Sequence, residues 1–134
     1  MVKPDYTELI KKSIEAKKFS YSPYSNFSVG VALLTESNKV FTGTNVENAS
    51  YSLSICAERV AFTKAISEGE IKFKAVAISS SKDKYIYPCG ACRQFMHEFG
   101  GDTDVIIVRS ENDFKIMKLS ELLPGAFDKN SLIN

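Results

Sequence analysis

Apolar residues recur at helical spacing near the start of the chain. Tyr6, Leu9, Ile10 and Ile14, with Ser13, share one face, and Lys11, Lys12, Lys17 and Lys18 fall largely elsewhere. The stripe predicts a helix opened by Pro4. Ser20 to Asn26, rich in Ser, Tyr and Pro, reads as a loop. Val29 to Thr35 then reads as a strand, turned at Ser37-Asn38, with Val40 to Glu47 as its hairpin partner. After a polar loop from Asn48 to Ser54, a second helix begins near Cys56 and ends before Gly69. Its Ala57, Ala61 and Ala65 are small enough to let it lie close on a sheet. Lys74 to Ser79 predicts a third strand, and Cys89 to Phe99 a helix stopped by Gly100-Gly101. Asp104 to Arg109 and Phe114 to Leu119 predict two more strands, followed by a turn at Leu122 to Gly125. Asp128 to Asn134 reads as a loosely held tail or short helix. The order is α-β-β-α-β-α-β-β. It predicts an α/β fold: a three-layer α/β/α sandwich around a mixed five-stranded sheet, antiparallel at the first hairpin and parallel where strands flank a helix.

Length and charge narrow the classes. The 134 residues suit one domain spanning residues 1–134, large enough for an ordinary core. Seventeen basic against sixteen acidic residues give a net charge of +1, which offers no electrostatic case for a nucleic-acid polymer or an anionic membrane as partner. No apolar run approaches the roughly 20 residues of a membrane span. Met1 to Asp5 shows no apolar signal segment. Three cysteines, an odd number, do not suit a secreted disulfide scaffold. The expectation is a cytoplasmic protein whose clustered cysteines serve metal or redox chemistry.

Those cysteines are Cys56, in Cys56-Ala57-Glu58, and Cys89 and Cys92, in Pro88-Cys89-Gly90-Ala91-Cys92. Both motifs fall at predicted helix starts, where free N–H groups and partial positive charge favour thiolates. Three thiolates can hold a tetrahedral Zn²⁺ and leave its fourth corner open for water. Glu58 stands where it could move that water's protons. Two other readings compete. A thioredoxin-like Cys89–Cys92 pair would leave Cys56 and Glu58 unexplained, and a structural zinc needs a fourth ligand. His97, the only histidine, lies about 140° around an ideal helix from Cys92 and is a poor candidate. It also leaves histidine-based nucleophilic catalysis poorly supplied.

Cys56-Ala57-Glu58-Arg59 and Pro88-Cys89-Gly90-Ala91-Cys92-Arg93-Gln94 resemble the zinc signature of the cytidine deaminases, in the small, three-cysteine, homotetrameric form. Phe27 to Ala32, Gly43 to Tyr51 and Leu122 to Phe127 resemble further segments of that family. The resemblance implies one Zn²⁺ per chain on Cys56, Cys89 and Cys92, with Glu58 as the catalytic proton shuttle. It implies hydrolytic deamination of free cytidine and 2′-deoxycytidine to uridine and 2′-deoxyuridine plus ammonia, in pyrimidine salvage. Asn45 and Glu47, alternating along a predicted strand, are implied to bind the ribose 3′-OH. A carboxylate there would repel a 3′-phosphate and so favour a free nucleoside over a polymer. Phe27 is implied to pack on the base, as is Phe127 from an adjoining subunit. Tyr51 is implied to reach the 5′ side of the sugar, and the Ala57 backbone the base carbonyl O2. Arg59 is expected to donate to Cys56 and Cys89 and offset thiolate charge, and Gln94 to be an internal hydrogen-bonding residue. The cysteine signature is shared with deaminases of nucleoside-like antibiotics of the blasticidin S type, the alternative enzyme. A non-enzymatic zinc or redox module is the alternative outside enzymes.

Overall fold

Five strands, β1 (Val29–Thr35), β2 (Val40–Thr44), β3 (Phe73–Ser80), β4 (Asp104–Ser110) and β5 (Asp113–Lys118), form one sheet in the order β2-β1-β3-β4-β5. Only β3 and β4 pair in parallel; the other three pairings are antiparallel. The computed structural model describes residues 4–133, so Met1 to Lys3 of the N-terminal segment and Asn134 of the tail lie outside the described residues. Helix α1 (Thr7–Ala16) covers one face of the sheet; α2 (Ala57–Ser67) and α3 (Gly90–His97) cover the other. A short α4 (Leu119–Leu122) follows β5. The expected three layers and mixed five-stranded sheet are present.

Both faces of the central strands are buried, so they read as continuous apolar runs rather than as alternation. On the α2–α3 side lie Val31, Leu33, Val76, Ile78, Val105 and Ile107. On the α1 side lie Ala32, Ala75, Ala77, Ile106 and Val108. The alanines on that side leave room for Leu9 and Ile10 of α1. Two glycines mark where helices press closest. A Cβ on Gly30 would meet the Ser13 carbonyl at 2.2 Å, and one on Gly43 would meet the Ala57 carbonyl and the Ala61 nitrogen, both at 2.6 Å. Helix α2 is anchored by Phe62, buried edge-on against Phe73 with ring centroids 4.8 Å apart. Burying a phenylalanine stabilises by about 1.5–3 kcal/mol, so this contact fixes where the N-terminus of α2 points.

Several boundaries differ from expectation, each for a local reason. Helix α1 starts at Thr7 rather than at Pro4, because the Asp5 carboxylate accepts from the Thr7 amide and hydroxyl. Strand β2 stops at Thr44 rather than Glu47. Beyond it, Val46 makes isolated bridges to Tyr21 and Ile55, which turn the chain out of the sheet. Helix α3 ends at His97 and the chain leaves through Gly100, whose φ of +130° suits glycine. Leu119, expected to end a strand, instead begins α4. Its amide bonds to the Thr103 carbonyl, and the Glu121 carboxylate caps the Lys118 amide. The tail carries a short 3₁₀ turn at Lys129–Leu132.

Candidate active site

Two connections deliver the chemistry to the same end of one sheet face. The chain from β2 enters α2 at Cys56, and the chain from β3 enters α3 at Cys89. Each cysteine is the residue just before its helix, in extended backbone (ψ 151° and 164°). Cys92 follows in the first turn of α3. The three sulfur atoms lie within 4.8 Å of one another, and the Cys56 and Cys89 Sγ atoms are 4.0 Å apart. Tetrahedral zinc with Zn–S near 2.3 Å separates its sulfurs by about 3.8 Å, so this donor set fits that ion. Cys92 is fully buried and Cys89 exposed, which leaves the cluster closed beneath and open above.

Glu58, in the first turn of α2, is only 5% exposed. Burial pushes its carboxyl up to about 7, with the Cys56 charge acting in the same direction and its own amide opposing. A group poised there both accepts and donates a proton near neutrality. Arg59 Nη2 donates to Cys56 Sγ at 3.6 Å. The expected second bond, to Cys89, is not among the hydrogen bonds of the described residues, and Arg59 Nε is buried without a partner. Hydrogen bonding from Cys92, then from Arg59 and Cys89, draws the Cys56 thiol down to about 5 against its burial. The same bond to Cys56, with burial and the Glu58 charge, pushes the Cys92 thiol up. A divalent cation inverts that logic and takes all three as thiolates.

Above the sulfurs opens a cavity of about 180 Å³. Phe27, Asn45, Ala57 and Glu58 line it together with Cys56 and Cys89. The Ala57 amide, first in its helix, has no acceptor within that helix. Asn45 and Glu47, expected to bind the ribose 3′-OH, are both hydrogen-bonded to the segment 24–29. Asn45 Nδ2 donates to the Phe27 carbonyl at 2.7 Å, and its Oδ1 accepts from the Val29 amide at 2.9 Å. The Glu47 carboxylate accepts from the Ser25 hydroxyl and from the amides of Tyr24 (3.0 Å) and Ser25 (3.1 Å). The Ser25 hydroxyl foremost, and then these amides, hold it below the usual carboxylate range.

The remaining candidates lie outside that cavity within a single chain. Glu47 and Tyr51 line a second depression of about 310 Å³ with Tyr24, Ser25 and Ser54. Phe127 is 59% exposed and lines neither, while its carbonyl accepts from Gln94 Nε2 at 2.8 Å. Gln94, expected to be internal, is exposed. Three residues were missed. Ile86 and Tyr87 line the sulfur cavity, and the apolar run Tyr85-Ile86-Tyr87 directly before Pro88 was the available signal. Arg93 ties the start of α3 to the end of α4, donating from Nε to the Pro88 carbonyl and from Nη1 to the Leu122 carbonyl, each at 2.8 Å. Its place four residues after Cys89 was the only hint.

Residues 3–109 match the cytidine and deoxycytidylate deaminase zinc-binding region. This chain belongs to that deaminase family. A probable cytidine deaminase of Dictyostelium discoideum is 48% identical over 131 residues, covering 94% of this chain and 88% of the relative. A cytidine deaminase of Halalkalibacterium halodurans is 47% identical, covering 92% of this chain and 94% of its own length. The crystal structure of cytidine deaminase from Burkholderia pseudomallei superposes with a TM-score of 0.88 at 42% identity, over 92% of this chain and 100% of that one. Membership of this deaminase family makes the Cys56–Cys89–Cys92 cluster the site for one Zn²⁺ per chain, as its donor chemistry fits. Three thiolates and a divalent cation sum to −1, and Arg59 places a positive charge 3.6 Å from Cys56 Sγ.

Proposed function

We propose that this chain hydrolyses free cytidine and 2′-deoxycytidine to uridine and 2′-deoxyuridine, releasing ammonia. The observation that carries the reading is the convergence of three sulfurs within 4.8 Å beside a carboxyl that is 5% exposed, at the floor of an open cavity. Cys56, Cys89 and Cys92 would hold Zn²⁺, which when bound supplies Lewis acidity that makes water a competent nucleophile at neutral pH. Glu58 takes a proton from the attacking water as C4 is hydrated and delivers one to ring N3. It then takes the second water-derived proton from the C4 hydroxyl and gives it to the amino group as the C4–N bond breaks and C4 becomes a carbonyl, so the shuttle ends in the state in which it began. The Ala57 amide donates to the base carbonyl O2, and the Phe27 ring packs on the base. With the capacity left after their loop bonds, Asn45 Nδ2 donates to the ribose 3′-OH and the Glu47 carboxylate accepts from it. Arg59 tempers the charge on Cys56, and Gln94 holds the segment that carries Phe127.

A homotetramer follows from the same reading. Tyr51 and Phe127 reach the cavity of an adjoining subunit, which accounts for their exposure within one chain (73% and 59%). Tyr21, Val46 and Ile55 are exposed and joined by backbone bridges, and with Tyr24 and Leu53 they supply an apolar surface for such contacts. We assign the protein, as a single deaminase domain, to pyrimidine salvage in the cytoplasm. Among the described residues no helix is long and apolar enough to cross a membrane.

The deciding experiment is Glu58→Gln, with zinc content and turnover measured on the same preparation. The variant keeps near-normal zinc and loses turnover by several orders of magnitude, since a positioned acid–base group contributes about 10²–10⁴-fold and this one acts more than once. Substantial turnover in Glu58→Gln removes the shuttle. Parallel assays with cytidine and blasticidin S separate the nucleoside enzyme from the antibiotic-modifying one.

A further inference from the structure

One part of the sulfur cavity's wall comes from the connection between β3 and α3, through Ile86 and Tyr87. That connection is pinned at both ends. At its start the Ser81 amide donates to the Ser28 carbonyl at 2.8 Å, and Ser81 Oγ accepts from the Ser28 amide at 3.1 Å. At its end the Pro88 carbonyl accepts from Arg93. Between these points the loop is tied to the β4–β5 hairpin through Tyr85 and Asp83. The Tyr85 ring packs against the core under α2 and α3, and its hydroxyl donates to the Asp113 carboxylate at the start of β5. Lys115 Nζ sits 4.4 Å from the Tyr85 ring centroid. Arg109 Nη1 donates to Asp113 at 3.0 Å, and Arg109 Nε to Asp83 at 3.0 Å.

Arg109, Asp113 and Lys115 point the same way because alternate residues of the β4–β5 hairpin share a face, and that face is the one under α2 and α3. The arms of this cluster are unequal. The Asp83 side chain is 86% exposed, so its pairing with Arg109 contributes little. The bond from Tyr85 to Asp113 joins a partly buried ring to a carboxylate that Arg109 also holds, and it carries most of the constraint.

We propose that the β4–β5 hairpin braces the substrate wall: Tyr87 contacts the bound nucleoside, and Tyr85, Asp113 and Arg109 are positioning residues that set where Ile86 and Tyr87 stand. The proposal rests on the deaminase reading for its ligand, but the brace itself is a property of the loop. It places a determinant of substrate affinity on the far edge strand of the sheet, in residues that touch neither metal nor substrate.

The test uses the zinc-loaded protein. Tyr85→Phe keeps the ring and loses the hydroxyl; Asp113→Ala loses the acceptor. Each raises KM for cytidine about five-fold, with kcat within about two-fold and zinc content unchanged. Asp113→Asn, which still accepts from Tyr85, restores most of the wild-type KM. The double variant is no worse than either single one, because both remove the same bond. Lys39→Met, which breaks a pair with Glu70 at the far end of β1, leaves KM alone. Tyr87→Ala raises KM, and Tyr87→Phe recovers it. Hydrogen exchange of the 84–87 amides accelerates in Tyr85→Phe whether or not cytidine is the substrate. Wild-type KM in both single variants, additive effects in the double one, or unchanged exchange overturns the brace. Failure of the wild-type protein to deaminate cytidine, with faster exchange in Tyr85→Phe, overturns the deaminase reading and leaves the brace standing.

Discussion

Asn45 grips the backbone of Phe27: its Nδ2 donates to the Phe27 carbonyl at 2.7 Å while its Oδ1 accepts from the amide two residues further on, at 2.9 Å. One side chain therefore stands in for the ladder contact that β1 would otherwise make here, and it fixes the ring on the cavity wall. Asn45→Ala strands both backbone groups. The expected loss is about 2 kcal/mol of stability, together with a raised KM for cytidine. Urea unfolding and steady-state kinetics on one preparation check both parts. Unchanged stability would mean that the loop is held elsewhere.

Arg59 Nη2 donates to Cys56 Sγ at 3.6 Å, and we propose that it offsets thiolate charge there. Arg59→Ala should weaken zinc binding by about 10- to 100-fold, as removal of a group that orients a ligand commonly does. Competition against a chelator of known affinity measures it. Equal retention of zinc in the variant contradicts the role.

Zinc should also stabilise the fold, because its ligands belong to two helices that the native state brings together. Chelation is expected to lower Tm and abolish turnover, and added Zn²⁺ to restore both. A Tm indifferent to zinc would show that the cluster is not a binding site.

The Glu58 carboxyl gives a pH dependence with a definite sign. Its folded pKa, about 7, lies above the ordinary 4.5, so the folded chain binds the extra proton between those values. Its contribution is present in full below pH about 4.5 and is lost as pH rises through about 7, a change on the order of 3 kcal/mol. The Cys56 thiol, drawn down to about 5 from its ordinary 9.0, acts with the opposite sign over the same range, so the Glu58 part is read as a difference. In zinc-stripped protein, the stability of the wild type relative to Glu58→Gln should fall from pH 5 to pH 8, as followed by urea unfolding of both proteins across that range.

Gly43 and Gly30 separate packing from chemistry. A Cβ at Gly43 collides with the first turns of α2, the helix entered through Cys56, whereas one at Gly30 collides with the end of α1 and Lys17 just after it. Both alanine variants are expected to lose about 1–3 kcal/mol or more. Only Gly43→Ala should also weaken zinc binding, measured by metal content after dialysis.

Much of this arrangement was legible from local pattern. Val29–Thr35 and the Asp104 start of β4 stand out because apolar, β-branched runs end at turn residues. Cys56 and Cys89 were placed at helix starts by the small or polar residues around them. What escaped depended on contacts distant in sequence. Asn45 ends β2 early because its side chain serves residues 27 and 29. Leu119 turns helical because its amide finds Thr103. Arg93 gained a structural task only once α4 lay beside it. Tyr87 reads as an ordinary loop residue until the β3–α3 connection folds over the sulfurs.

The parallel pairing of β3 with β4 has a further consequence. Parallel neighbours cannot be joined by a tight turn, so the chain must travel back along the sheet before it re-enters. That obligatory return path carries the Ile86–Tyr87 segment and, directly after it, the metal-ligating start of α3. The substrate wall is therefore set by side-chain contacts of residues 82–87, none of which belongs to a strand, and not by the register of the sheet.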